Sequence, residues 1–148
     1  MRNRVGVIHG VNLDTLGDRD PGIYGKHTLG QLEFKIGEFA AQLGLEVWFE
    51  QTNHEGEYCE LLHRASEVAD GLILNPGAWT HYSYAIRDAL EVSGPLPTIE
   101  VHISEVDSRE EWRRVSVIRD ICVGRVQGKG ADGYRDALEL LKNEFGAA

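Results

Sequence analysis

The sequence lacks an apolar run long enough to cross a bilayer. Its first residues, Met1-Arg2-Asn3-Arg4, lead straight into a short apolar strand, without the longer apolar region of a signal peptide. We therefore expect a cytoplasmic protein with no membrane partner. The 148 residues fit one domain spanning 1–148, and a domain of this size can bury a substantial core.

Basic residues are also scarce. Fifteen Lys and Arg stand against 24 Asp and Glu, which gives a net charge of −9. A protein that binds nucleic acid regardless of sequence needs a basic face to neutralise phosphates, so we expect no nucleic-acid partner. An anionic small molecule is not excluded, because a few local arginines and backbone N–H groups can hold a carboxylate.

Side chains that hold metals or form covalent intermediates are few. The two cysteines, Cys59 and Cys122, lie far apart without metal-type spacing, and we expect both to be reduced core residues. No lysine falls at the end of a predicted strand, where an imine would form. No Gly-rich phosphate loop and no Ser/Thr cluster for a flavin phosphate is present. The sequence therefore predicts no metal and no nucleotide or flavin cofactor.

Short apolar runs alternate with helical patterns along the chain. Strands are predicted at residues 5–8, 47–49, 72–74 and 98–101, with a fifth beginning at 121–123. Capping boxes at Thr28 and Ser108 open two helices, and apolar residues at helical spacing mark three more around 58–69, 85–90 and 134–145. This alternation predicts an α/β fold in which a parallel sheet carries helices on both faces. The flavodoxin-like strand order 2-1-3-4-5 is favoured at this length.

In such sheets, ligands bind beyond the carboxyl ends of the strands, near the point where the strand order reverses. The first candidate place is the segment after the first strand, about 18 residues from His9 to Lys26 without a regular pattern. A loop of this length in a compact domain is usually functional, often a lid, or else disordered.

The second candidate place follows the third strand, where residues 75–81 have the sequence NPGAWTH. A turn followed by a helix that Thr80 caps accounts for Pro76, Gly77 and Thr80, but it leaves His81 without a role. From this pattern alone, His81 is either a surface or capping histidine or a site residue.

The third candidate place is the end of the fourth strand. Glu100 and His102 are two residues apart and so face the same side of the strand. A carboxylate beside an imidazole orients the ring, fixes its tautomer and raises its proton affinity, as a general acid requires. The alternative is a satisfied polar pair at a strand end. Arg109 and Arg113 follow at i, i+4 spacing, where they are either solvated or hold oxyanions and hydroxyls of a ligand.

Six stretches of the chain together resemble the type II 3-dehydroquinate dehydratases, and the similarity runs over nearly the whole chain. They are GVNLDTLG at 10–17, RDPGIYG at 19–25, QTNHEG at 51–56, LNPGAWTH at 74–81, IEVHIS at 99–104 with SREEWR at 108–113, and GKGADGY at 128–134. The resemblance implies a flavodoxin-like fold, a homododecamer built from trimers, and no metal or cofactor. It also implies reversible anti dehydration of a small anionic cyclic substrate, 3-dehydroquinate, to 3-dehydroshikimate through an enolate-like intermediate.

The same resemblance implies a role for each matched residue. Tyr24 falls where the family has its base and Arg19 where it has the group that activates the base, in an active-site lid at about 18–27. Asn12 matches the residue that holds a water near the developing enolate. His102 matches the general acid and Glu100 its orienting partner. The matched substrate-binding residues are Asn75, His81, Ile103, Ser104, Arg113 and, reaching into a neighbouring subunit's site, Asp88.

The chain departs from the family pattern at a few positions. Val11 stands where proline is usual, Val115 replaces a frequent histidine, and Lys129 lies in the last glycine turn. These changes keep every expected catalytic group but alter the floor and rim of the expected pocket. Two alternatives therefore stay open, a related lyase acting on a similar cyclic hydroxy keto acid and a catalytically silent binding or assembly paralogue. A biosynthetic and a catabolic role also stay open.

Overall fold

A five-stranded parallel sheet forms the centre of the computed structural model, which describes residues 1–147. Its strands are β1 (Arg4–His9), β2 (Glu46–Gln51), β3 (Gly71–Asn75), β4 (Thr98–His102) and β5 (Gly124–Gln127). Their order is β2-β1-β3-β4-β5, and every neighbouring pair is parallel. The predicted α/β fold with the flavodoxin-like order 2-1-3-4-5 is confirmed.

Helices cover both faces of this sheet. They are α1 (Pro21–Tyr24), which is a single turn, α2 (Leu29–Gln42), α3 (Glu55–Val68), α4 (Tyr84–Val92) and α5 (Asp132–Ala147). Helices α2 and α5 share a buried cluster with Val5 and Val7, whereas α3 and α4 pack on the opposite face with Ile8 and Leu72. Because both faces of the sheet are buried, the inner strands β1 and β3 are near-continuous apolar runs rather than alternating ones.

The predicted capping box at Thr28 is confirmed. The Thr28 hydroxyl accepts a hydrogen bond from the Gln31 N–H at 3.2 Å, and the Gln31 side-chain oxygen accepts one from the Thr28 N–H at 2.9 Å. Helix α2 ends at Gln42, just before Gly44, whose φ of 73° lies in the left-handed region that favours glycine.

Three local predictions are wrong. The helix expected from Ser108 is a pair of 3₁₀ turns, because the Ser108 hydroxyl donates back to the Glu105 carbonyl at 2.8 Å instead of capping a helix. The fifth strand begins at Gly124, because Arg119–Ile121 forms another 3₁₀ turn. Helix α4 is capped by Ser83 rather than by Thr80, since the Ser83 hydroxyl accepts from the Ile86 N–H at 3.1 Å.

Within residues 1–147, no helix has the length and apolar character needed to span a membrane. The same residues contain no group of His, Cys, Asp and Glu arranged to hold a metal ion. Cys59 and Cys122 are free and partly buried, and both pack on the face that α3 and α4 cover. Burial raises the pKa of the Cys122 thiol to about 12, so this side chain is a neutral packing group rather than a nucleophile.

Candidate active site

A cavity opens at the carboxyl edge of the sheet, beside the ends of β1, β3 and β4, where the strand order reverses. Its empty volume, which includes space open to solvent, is about 590 Å³. Of the site residues expected from the sequence, those that line the cavity are Asn12, Arg19, Tyr24, Asn75, His81, His102, Ile103, Ser104 and Arg113. The structure therefore brings together side chains from five separate stretches of the chain.

The floor of the cavity is built from the loops after β1 and β3, which touch through their backbones. The Gly10 N–H donates to the Asn75 carbonyl at 2.8 Å, and a Cβ at Gly10 would lie only 2.2 Å from the Pro76 carbonyl oxygen. Gly77 approaches Val11 in the same way and has a φ of 68°. Larger residues at the two glycines would push these loops apart and open the floor.

Asn12 lies on this floor in an uncommon backbone conformation. Its φ of 70° is the only positive φ of a non-glycine residue within 1–147. The Asn12 N–H donates to Asn53 Oδ1 at 2.8 Å, and Asn53 in turn donates to Asp14 at 3.0 Å. The Asn53 side chain thus holds the turn that keeps the Asn12 amide at the cavity, a role that the sequence did not indicate.

Tyr24 and Arg19 meet at one side of the cavity. The Asp20 carboxylate accepts from the Gly22 N–H at 2.9 Å, and Pro21 occupies the first position of α1. The turn between them brings Arg19 Nη2 to 2.8 Å from the Tyr24 hydroxyl oxygen, with the guanidinium carbon 3.8 Å from the ring centroid. This one-turn helix replaces the irregular loop expected here, and it places the Tyr24 hydroxyl within hydrogen-bond distance of a guanidinium.

Glu100 and His102 form a buried pair at the end of β4. His102 Nε2 lies 2.5 Å from Glu100 Oε2, and the two side chains are 4% and 0% exposed. Burial by itself would raise the pKa of the Glu100 carboxyl. The bond and charge of His102, the Ser116 hydroxyl at 2.7 Å and the charge of Arg125 outweigh burial, so the pKa lies below its usual value. Glu100 is therefore a carboxylate that orients His102 from behind, outside the cavity lining.

His81 is a buried site residue rather than a surface or capping histidine. Its Nδ1 lies 2.7 Å from the Val115 carbonyl, which can only accept, so the proton is on Nδ1. Burial lowers the pKa of His81, with the nearby His102 and Arg113 acting in the same direction. A neutral ring in this tautomer leaves Nε2 as an acceptor for a ligand hydroxyl. Because Val115 acts through its backbone, its side chain does not alter this contact.

The segment after β4 provides polar groups at the remaining side of the cavity. The Ile103 and Ser104 carbonyls accept from the Gly130 and Gly128 N–H groups, each at 3.2 Å, which fixes the orientation of the peptides between them. Arg109 Nη1 donates to the Ser104 hydroxyl at 3.2 Å, and its guanidinium carbon lies 5.1 Å from the Tyr24 ring centroid. Arg109 is therefore a cavity residue and not a solvated one.

Two expected features lie outside this cavity, and a third reaches it from a different element than expected. Asp88 is exposed on α4 and does not line the cavity of its own chain. Lys129 also lies outside this cavity, where it pairs with Asp136 at 2.6 Å. Arg113 lines the cavity from a 3₁₀ turn, pairs with Glu110 and places its guanidinium 4.1 Å from the Trp112 ring centroid. The i, i+4 helical face proposed for Arg109 and Arg113 therefore does not form, although both reach the same cavity.

Known proteins resemble this chain over most of its length. The model of the family "Dehydroquinase class II" matches residues 3–142. A 3-dehydroquinate dehydratase from Pelotomaculum thermopropionicum is 50% identical over 135 residues, which are 91% of this chain and 93% of that protein. A 3-dehydroquinate dehydratase from Bacillus subtilis is 43% identical over 140 residues, which are 95% of this chain and 94% of that protein. A solved type II dehydroquinase from Butyrivibrio crossotus has a TM-score of 0.89 and 44% identity, and the match covers 95% of this chain and 97% of that one.

Proposed function

The chain belongs to the class II dehydroquinase family, and we propose that it is a hydro-lyase that converts 3-dehydroquinate to 3-dehydroshikimate through an enolate-like intermediate. The observation that carries this proposal is that two proton-transfer pairs meet at one cavity. Arg19 lies 2.8 Å from the Tyr24 hydroxyl, and Glu100 lies 2.5 Å from His102. Dehydration next to a ketone needs one group that takes a proton and another that gives one to the departing hydroxide.

Tyr24 is assigned as the base. The Arg19 guanidinium favours the phenolate, which takes the proton on the carbon next to the ketone, and the electrons of that C–H bond pass into the enolate. Asn12, held by Asn53, positions a water at the developing enolate oxygen. Residues 18–27 act as a lid, because they carry both Arg19 and Tyr24 and closure would exclude bulk water from the reacting atoms.

His102 is assigned as the acid. As the enolate collapses to the carbon–carbon double bond, the C–O bond breaks and the leaving hydroxide takes the His102 proton to become water. Neutral His81 accepts a hydrogen bond from a ring hydroxyl. The N–H groups of Ile103 and Ser104, together with Asn75 and Arg113, hold the substrate carboxylate and the remaining hydroxyls.

The direct test is an assay of the purified chain with 3-dehydroquinate, following the conjugated enone product by its ultraviolet absorbance. We expect saturable product formation. The related-lyase alternative rests on Val11, which lines the cavity floor, and it predicts faster turnover of another cyclic hydroxy keto acid in the same assay. A chain that binds 3-dehydroquinate without forming product would be the silent paralogue.

Activity is expected to be independent of metals and of imine formation, because the assigned steps need only side-chain proton transfers. Dialysis against EDTA should leave kcat unchanged. Borohydride added with substrate should trap no adduct on the chain in intact-mass spectra. Loss of activity that Mg²⁺ or Zn²⁺ restores, or a covalent mass shift at a lysine, would contradict this mechanism.

Assembly provides another test. We propose a homododecamer built from trimers, in which the exposed Asp88 on α4 reaches the cavity of a neighbouring subunit. Light scattering should then report about twelve times the mass of the 16.5 kDa chain. Co-assembling Asp88→Ala with Tyr24→Phe should yield more activity than the sum of the two variants, because an intact Tyr24 site would receive Asp88 from its neighbour. A fully active monomer, or no gain on mixing, would show that Asp88 does not act between subunits.

A further inference from the structure

Arg125 contacts the same oxygen of Glu100 that His102 contacts. Arg125 Nε donates to Glu100 Oε2 at 3.2 Å, and His102 Nε2 lies 2.5 Å from the same oxygen. Arg125 is opposite Glu100 in the pairing of β4 with β5, and its side chain is only 14% exposed. The imidazole and the guanidinium therefore share the charge of one buried carboxylate oxygen.

The other end of the guanidinium is also held. Arg125 Nη1 donates to Asp107 Oδ2 at 3.3 Å, and Gln127 donates to the same Asp107 oxygen at 2.7 Å. Asp107 lies in the 3₁₀ turn after β4 and is 40% exposed. A chain of alternating charges thus runs from the surface through Arg125 and Glu100 to His102.

We propose that Arg125 is a positioning residue for the general-acid step. Its guanidinium holds Glu100 Oε2 at the imidazole and lowers the affinity of the Glu100–His102 pair for its proton. The inference rests on the proposed function, in which His102 gives that proton to the leaving hydroxide. A guanidinium beside the pair favours the state of the pair that carries a net negative charge, with Glu100 ionised and His102 neutral. His102 is thereby a readier proton donor than a carboxylate–imidazole pair alone would make it.

Other charged and titratable groups face the pair and stay unchanged in the test. The Cys122 thiol, before β5, is kept neutral by burial and by the charge of Glu100, which raise its pKa to about 12. The His81 ring, from the turn after β3, is 6.2 Å from the His102 ring, and Arg113 lines the cavity on the side of the 3₁₀ turn Glu111–Arg114. The lid contributes Arg19 and Tyr24 to the same cavity. Of these groups and Asp107, only Asp107 contacts Arg125. Neither Arg125 nor Asp107 lines the cavity, so substitutions at these two residues change the network without changing the cavity lining.

The test compares the pH dependence of kcat/KM in the full-length wild type and four variants. Arg125→Gln should move the midpoint of the alkaline limb upward by about one pH unit or more, because the pair then holds its proton more tightly. Arg125→Lys keeps the charge and should restore the midpoint to near the wild-type value. Asp107→Asn should move it downward by a few tenths of a unit, because Arg125 then acts on Glu100 without compensation. Arg4→Gln, which breaks the Arg4–Asp70 pair at the amino-terminal ends of β1 and β3, should leave the midpoint unchanged.

The protonation midpoint of His102 can also be measured without turnover, by NMR titration of protein whose histidines carry ¹³C at Cε1. The His102 signal is identified as the one that His102→Asn removes. A wild type inactive towards 3-dehydroquinate would overturn the proposed function, while the His102 titration would still decide the effect of Arg125. A kcat/KM reduced equally at every pH, with unshifted midpoints, would show that Arg125 serves packing only and would overturn the proposal. If Arg125→Gln does not fold, an unshifted midpoint in Asp107→Asn overturns it equally.

Discussion

His102→Ala is expected to lower kcat by about 10²- to 10⁴-fold, the range that a positioned general acid contributes. Hydroxide is a poor leaving group, and without the imidazole only solvent water can protonate it. Because His102 is 4% exposed and contacts buried Glu100, the substitution also leaves that carboxylate with only Ser116 and Arg125 as partners. The melting temperature should be measured beside kcat so that loss of folded protein is not counted as loss of catalysis.

Two further variants separate proton donation from packing. His102→Gln keeps a side-chain donor near Glu100 but cannot supply the proton, so its kcat should be as low as that of His102→Ala. Glu100→Gln keeps the acid and loses only its orientation by a carboxylate, so it should cost less. His63→Ala, at an exposed position on α3 away from the cavity, serves as the control and should match wild type. Near-wild-type turnover in His102→Ala would remove the assignment.

The two pairs proposed to transfer protons differ in how far the sequence predicts them. Glu100 and His102 are two residues apart on a strand, and any strand places such side chains on one face. Arg19 and Tyr24 are five residues apart in a stretch without periodicity. They meet because Asp20 caps a single helical turn that begins at Pro21, and one turn is too short to show a repeating pattern. The resemblance to a family supplied that pair, and the physical pattern of the residues did not.

Residues that act through long-range contacts were predicted least well. The pairing of Arg125 with Glu100 depends on the register of β5. The sequence predicts the start of this strand at Ile121, three residues before its actual start at Gly124. The site of His81 depends on the Val115 carbonyl, 34 residues further along the chain. Such contacts follow from the packing of turns around the finished sheet, and local propensity carries little information about them. The sheet order itself was predictable, because five alternating strands and helices allow few connections.

Tyr24→Phe is expected to keep substrate binding and to lose nearly all turnover, a larger loss than any other single substitution proposed for this chain. The proton to be removed lies next to a ketone, and a free phenol, which is almost entirely protonated at neutral pH, cannot take it. The Arg19 guanidinium donates to the Tyr24 hydroxyl oxygen at 2.8 Å, and in the proposed mechanism this contact activates Tyr24 as the base. Phenylalanine keeps the ring under Arg19 and Arg109 but has no oxygen to accept the proton.

Arg19→Gln separates activation of the base from the base itself. It removes the charge and keeps a polar side chain of moderate length, so the phenolate should form only at higher pH. The acidic limb of the kcat profile should then move upward by about one unit or more, with partial recovery of turnover in alkaline buffer. Tyr82→Phe, at an exposed tyrosine outside the cavity, is the matched control and should behave as wild type. A general base contributes about 10²-fold or more to turnover. If Tyr24→Phe turns over within about tenfold of wild type, the base therefore lies elsewhere and the lid serves only to cover the substrate.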